Sequence, residues 1–190
     1  MNRTSKENSA HPYGQKAAKA IYEVIEMLAF TVMTVLLLTV LVCRNAVVDG
    51  PSMENTLQNG EPLLLSNLFY TPKQGDIVVF DDLSIGDRSP GRSSALVKRV
   101  IAVGGQHVSI REDGVYVDGQ KLSEEYVYID DAAFSYEKRG HTMEVDVPEG
   151  YLFVMGDHRN NSLDSRSFGV VDERAVLGRV RMRLLPFRLF

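Results

Sequence analysis

The run from Met27 to Cys43 carries no charge, and that single fact limits what the amino-terminal part of this chain can become. At a rise of about 1.5 Å per residue it approaches the roughly 30 Å hydrocarbon core of a bilayer, and flanking residues supply the remainder. Ile21, Val24, Ile25 and Leu28 lead into it at helical spacing. A cleaved export signal is the competing reading, but its apolar region spans about 7 to 15 residues and ends at a small-residue site. This run is longer, and Val42-Cys43-Arg44-Asn45 is no such site. A membrane anchor fits better.

Basic residues decide its orientation. Arg3, Lys6, Lys16 and Lys19 precede the run, and only Arg44 follows it closely. The amino terminus is therefore expected in the cytoplasm. The sequence divides into a disordered cytoplasmic tail over 1–16, a transmembrane helix over 17–45 and an extracytoplasmic domain over 46–190. Within that domain, 106–147 reads as a smaller cap or insertion.

The 190 residues allow one such domain with a real core. A net charge of -4 argues against nucleic acid as the main partner. Cys43 is the one cysteine and lies in the apolar run. It forms no internal disulfide, supplies no zinc cluster and makes a poor nucleophile there.

Beyond Ala46 the hydrophobic period changes from helical to alternating. Strands are expected at Leu63 to Leu65, Asp76 to Phe80, Leu96 to Val103, Val115 to Val117, Thr142 to Val147, Tyr151 to Met155 and Val176 to Leu185. Asp118-Gly119 is a two-residue hairpin signal. The fold class is mostly β: one amino-terminal transmembrane helix followed by an antiparallel sheet domain with a small β cap. Asp81 to Ser94 and Asp130 to His141 read as exposed loops, the second as a mobile flap. The basic residues Arg179, Arg181 and Arg183 alternate with apolar ones, as in a strand with one solvated face.

Three segments carry candidate chemistry. Ser52 follows Gly50-Pro51 in a turn from which its hydroxyl can project. Lys98 lies in the apolar run Leu96-Val97-Lys98-Arg99-Val100-Ile101. A serine hydroxyl needs a base, and a lysine serves only if burial lowers its pKa. Strand alternation sends Lys98 and Arg99 to opposite faces, and local sequence does not decide which one is wet. The third segment, Gly156 to Val171, packs Asp157, Arg159, Ser162, Asp164 and Arg166 between glycines. Its acids and arginines can form charge-assisted pairs that stiffen the loop. A calcium loop is excluded by the missing terminal glutamate and by the arginines.

Together, Gly50-Pro-Ser-Met-Glu-Asn-Thr-Leu57, Gly75-Asp-Ile-Val-Val-Phe80, Leu96 to Gly105 and Gly156 to Val171 resemble the ordered motifs of bacterial type I signal peptidases of the Gram-positive type. The resemblance implies a membrane-bound serine endopeptidase that removes signal peptides after small residues, with Ser52 as nucleophile and Lys98 as general base. It implies that Ser162 orients the lysine amine, that Asp164 and Arg166 form a supporting salt bridge, and that Asp157 and Arg159 brace the same loop. The backbone N–H of Ser52 would donate to the oxyanion, and Gly50 stands where some relatives carry a second, hydroxyl donor. No cofactor or metal is implied. The implied partners are secretory pre-proteins and membrane lipid, with the translocon nearby.

Three positions depart from the family pattern. Asn55 replaces a usual proline, and Gly105-Gln106 replaces glycine-aspartate. His158 replaces a common asparagine, which raises a serine–histidine mechanism as a variant. Two other classes compete: a self-cleaving repressor-type serine–lysine protease, and a membrane-tethered β module that only binds partners.

Overall fold

The structure, a computed structural model, describes residues 12–81, 95–184 and 187–190. The chain divides after Leu41 into two units. Helix α1, Pro12–Val42, accounts for the first. It begins five positions before the expected start at 17, with proline in the first turn, where no helical hydrogen bond is lost. The tail expected over 1–16 otherwise lies outside the described residues. The stretch Ala18–Leu37 is long and apolar enough to cross a membrane, with a mean hydropathy of 1.9. The hydroxyls of Thr31 and Thr34 each donate to the carbonyl four residues back, at 2.8 Å, so neither reaches lipid unpaired.

The helix ends three residues before the expected 45, because Cys43–Val47 forms strand β1. This segment pairs antiparallel with β2, Pro62–Ser66, in the register Cys43↔Ser66 to Val47↔Pro62. Ladder hydrogen bonds outcompete further helical turns there. The chain continues through β3 (Ile77–Asp81) and β4 (Ala95–Val103). Four strands come next: β5 (His107–Arg111), β6 (Gly114–Val117), β7 (Gln120–Lys121) and β8 (Met143–Asp146). Strand β9 (Tyr151–Met155), a short helix α2 (Ser165–Phe168), β10 (Val171–Asp172), β11 (Val176–Arg183) and β12 (Arg188–Leu189) complete the chain. Strands β1, β5, β10 and β12 carry no strong period of their own and were not expected. Of the loop expected over 81–94, only Asp81 is described.

All strand pairs are antiparallel. The larger sheet runs β1-β2-β11-β3-β4-β9-β10, with β12 beside β11; the smaller runs β7-β6-β5-β8. Its strands span His107 to Asp146, within the 106–147 interval read as a cap.

Side-chain alternation explains why Ile77 to Phe80 of β3 and the whole of β9 are apolar rather than every second residue. Ile77 and Val79 face one core with Met53, Leu57 and Leu63, whereas Val78 and Phe80 face another with Val100, Leu152 and Val154. From β9, Phe153 and Met155 face a third core, built with Ile101 and the smaller sheet's Val108, Ile110, Val115 and Val117. Strand β4 serves all three cores, Val97 the first, Val100 the second and Ile101 with Ala102 the third. A register shift between Val100 and Ala102 lets the last two adjacent residues face the same core.

The 130–141 stretch is not a free flap. Tyr136 is buried in the third core, and Arg139 pairs with Asp131 at 3.3 Å. On β11, Arg179 and Arg183 are tied to Asp76 (3.2 Å) and Glu61 (3.1 Å), so these arginines do not line a solvated face.

The hairpin between β6 and β7 turns on Asp118 and Gly119, with Val117 opposite Gln120. Both turn residues have positive φ, 51° and 78°, as a type I′ turn requires. A Cβ at Gly119 would meet nothing within 4 Å, so the cost of adding one is conformational alone. Gly119→Ala should therefore lower stability by about 1 kcal/mol, read as a fall of several degrees in Tm by calorimetry.

Candidate active site

The turn after β1 delivers Ser52. Met53 and Leu57, both fully buried, pin the turn from below, and Leu57 N–H closes it by donating to Met53 O at 2.8 Å. Lys98 comes from the middle of β4, opposite Val78. Its Nζ lies 2.7 Å from Ser52 Oγ. Only 3% of Lys98 is exposed. Removal of water from the ammonium pushes its pKa down to about 8; Asp164 opposes this, Arg166 adds to it, and Asp157 opposes it least.

The loop after β9 forms the back of the site. Arg166 donates to Asp164 through Nε at 2.8 Å and Nη2 at 2.7 Å, and both side chains are fully buried. Burial opposes ionisation of Asp164, but Arg166 and the N–H of Gly156 outweigh it and hold the carboxyl below its ordinary value. Asp164 also caps α2, accepting from Arg166 N–H. Arg166 reaches on to the carbonyl of Arg159 at 2.8 Å.

Asp157 and Arg159, expected to brace this loop, do so through different partners rather than each other. Asp157 accepts two hydrogen bonds from Arg99, at 2.8 and 2.6 Å, and one from Thr56 at 2.6 Å. Arg159 donates to Glu124 (2.5 and 3.1 Å) and to the hydroxyl of Tyr136 (2.8 Å). Burial disfavours its charge, yet Glu124 and Tyr136 overcompensate and raise its pKa. Arg99 is therefore neither wet nor free: its side chain is 11% exposed and its guanidinium lies over the Tyr126 ring. Arg99, Thr56, Glu124 and Tyr136 carry no local signal for these roles, because each pairing spans tens of residues.

Ser162 does not make the expected hydrogen bond to Lys98. Its hydroxyl is buried, approaches Asp164, and has no well-aligned partner among the described residues. It is wedged against Gly156, where a Cβ would fall 2.2 Å from Ser162 Oγ and 2.5 Å from the carbonyl oxygen of Ser52. Glycine at 156 is what allows the loop and the nucleophile turn to touch. The N–H of Gly50 is taken by Asn59 Oδ1 at 2.8 Å. The N–H of Ser52 makes no hydrogen bond among the described residues.

His158 is buried beside the same turn, but its ring nitrogens face Pro51 O, Glu54 and Asp130. The hydrogen-bond partner of Ser52 Oγ is Lys98. No group of metal-ligating side chains is found among the described residues.

The signal peptidase family, peptidase S26, matches residues 21–185. The chain belongs to this family. A probable signal peptidase I-1 of Synechocystis is 35% identical over 172 residues, covering 87% of this chain and 83% of that protein. Signal peptidase I of Bacillus licheniformis is 33% identical over 175 residues, 88% of this chain and 90% of the relative. A crystal structure of a signal peptidase I from Enterococcus faecalis V583 aligns over 58% of this chain and 97% of that one, at 34% identity and a TM-score of 0.43. Membership in a family of signal peptidases makes this chain a serine peptidase.

The geometry sets two expectations. Gly156→Ala should cut kcat for signal-peptide removal by about 100-fold or more, because the new methyl must displace the Ser52 carbonyl; far-UV circular dichroism should stay that of a folded β protein. Lys98 has a depressed folded pKa, so its cost to folding is fully present below pH 8 and fades as pH rises toward the unfolded value of 10.5. Lys98→Met should therefore raise Tm at pH 7 by several degrees and give no gain above about pH 10.5.

Proposed function

We propose that this chain is a membrane-anchored signal peptidase I that works through Ser52 and Lys98. The observation that carries the proposal is the 2.7 Å contact between Lys98 Nζ and Ser52 Oγ, made by a lysine whose pKa is pushed down to about 8. In this reading residues 1–16 are cytoplasmic, α1 spans the membrane, and 46–190 is the extracytoplasmic catalytic domain, with 106–147 as its cap. A pre-protein still held in lipid by its signal segment lays its cleavage site along a strand edge near Ser52. The translocon delivers it from close by.

Neutral Lys98 takes the proton of Ser52 as Oγ attacks the scissile carbonyl. The oxyanion accepts from the N–H of Ser52, which is available for it. Lys98 then passes the proton to the leaving amine, so the peptide bond breaks and an acyl-enzyme remains. Water, deprotonated by the same amine, hydrolyses the ester and restores both groups. Asp164–Arg166, Asp157–Arg99 and Arg159–Glu124 hold the loop behind the amine. Shallow apolar pockets would select alanine-sized side chains at the first and third positions before the cut. The chemistry assigned to these side chains calls for no cofactor.

Ser52→Ala and Lys98→Ala should each lower cleavage of a pre-protein in lipid or detergent by more than about 1,000-fold, with the wild-type cut located by mass. The rate should fall about tenfold per pH unit below pH 8, because protonated Lys98 cannot accept the serine proton. Retained cleavage in the Lys98→Ala protein, or a rate flat from pH 6 to 8, would exclude the dyad.

A further inference from the structure

His158 is 1% exposed, yet it belongs to no hydrogen-bond path that reaches the reacting hydroxyl. What surrounds it is the backbone of the nucleophile turn. Its main-chain N–H donates to the carbonyl of Ser52 at 3.0 Å, and its Nδ1 lies 3.2 Å from the carbonyl of Pro51. Both carbonyls on either side of the nucleophile's own N–Cα bond are thus held by one residue.

The other groups around the ring are carboxylates. Glu54 Oε2, from the same turn, lies 3.3 Å from Nδ1. Asp130 Oδ1 lies 3.3 Å from Nε2, without a well-aligned hydrogen bond, and Asp130 is itself held by the side chain of Asn160. Tyr128 packs on the ring at a centroid distance of 4.7 Å, and its strand-like bridge to His158 fixes the ring's height above the turn. Every neighbour of Nδ1 is an acceptor, so Nδ1 makes a favourable contact with Pro51 O only when it carries a proton and donates it. A side chain this buried, aimed at a backbone carbonyl next to a reactive serine, has a geometric task.

We propose that His158 is a positioning residue: its Nδ1–H, together with its main-chain N–H, clamps the Pro51–Ser52 peptide so that Ser52 Oγ and the Ser52 N–H keep their places relative to Lys98. The proposal rests on the assignment of Ser52 as nucleophile. The clamp acts on orientation and not on proton transfer, so it should be felt in kcat and in acylation, with little effect on KM. A side-chain amide can replace one ring nitrogen but not both. Asparagine places its Nδ2 where Nδ1 stands and can donate to Pro51 O; glutamine extends to the Nε2 position, toward Asp130, and leaves Pro51 O without its donor.

The test compares His158→Asn, His158→Gln and His158→Leu in the full-length protein reconstituted in lipid. Read-outs are kcat and KM for a pre-protein, the rate of labelling by a serine-directed acylating inhibitor, and Tm. His158→Asn should keep kcat within about threefold of the parent. His158→Gln and His158→Leu should lose about 10- to 100-fold in both kcat and labelling rate, with KM nearly constant. Equal activity of the Asn and Gln proteins, or a loss that follows Tm rather than the presence of an Nδ1-like donor, overturns the clamp. Ser52→Ala run alongside separates the two readings: if that protein still cleaves and is still labelled, the nucleophile assignment has failed, whereas its inactivity together with a fully active His158→Gln protein removes the clamp alone.

Discussion

An ammonium stripped of water is a poor ammonium, and this site is built around that fact. Lys98 can be dehydrated because the charges nearest to it are already matched. Asp164 is satisfied by two arms of Arg166, and Asp157 by two arms of Arg99 and a hydroxyl from Thr56. Were either carboxylate unpaired, its field at Lys98 would restore the ammonium and hold the proton that the serine must give up. Arg166 acts on the lysine both directly, through its own charge, and by pairing with Asp164, whereas Arg99 acts by pairing with Asp157. Fork-shaped guanidinium groups suit this task because each closes on a carboxylate through two hydrogen bonds.

The packing of the domain serves the same end. Lys98 sits in a strand flanked by β3 and β9, whose Ile77 to Phe80 and Leu152 to Met155 are buried on both faces, and only 3% of it is exposed. The nucleophile turn is anchored from below by Met53 and Leu57. From above it meets Gly156, Ser162 and His158. Three segments far apart in the chain thus converge on a volume a few ångströms across. Tolerance there is small: the methyl group absent from Gly156 is what lets the Ser52 carbonyl and the Ser162 hydroxyl share it.

Much of the architecture was legible along the chain. An uncharged helical run, β-branched segments at regular intervals and Asp118-Gly119 each declare themselves within a few residues. Strands without such a pattern were not legible. β1 and β5 are formed by what their partners offer, Pro62–Ser66 for one and both β6 and β8 for the other. At the site, polar density between Gly156 and Val171 announced a charge-locked loop, and Asp164 with Arg166 form the local pair that their spacing invited. Asp157 and Arg159 defeated the same reasoning. Their partners Arg99 and Glu124 lie 58 and 35 residues away, beyond the reach of any local spacing.

By itself the sequence determined the uncharged helical run near the amino terminus, the antiparallel character of the β domain beyond it, and which residue types were present to do chemistry. These are properties of neighbours, set by periodicity and turn propensity over a few positions. Only the tertiary structure decided that Lys98 and Arg99 would both be withdrawn from water, that Ser162 would be left without a well-aligned hydrogen-bond partner, and that the His158 ring would turn to the carbonyl of Pro51 rather than to the Ser52 hydroxyl. Burial and ion-pair choice depend on which strands lie side by side, and strand order is a sum over long-range packing that no local window contains.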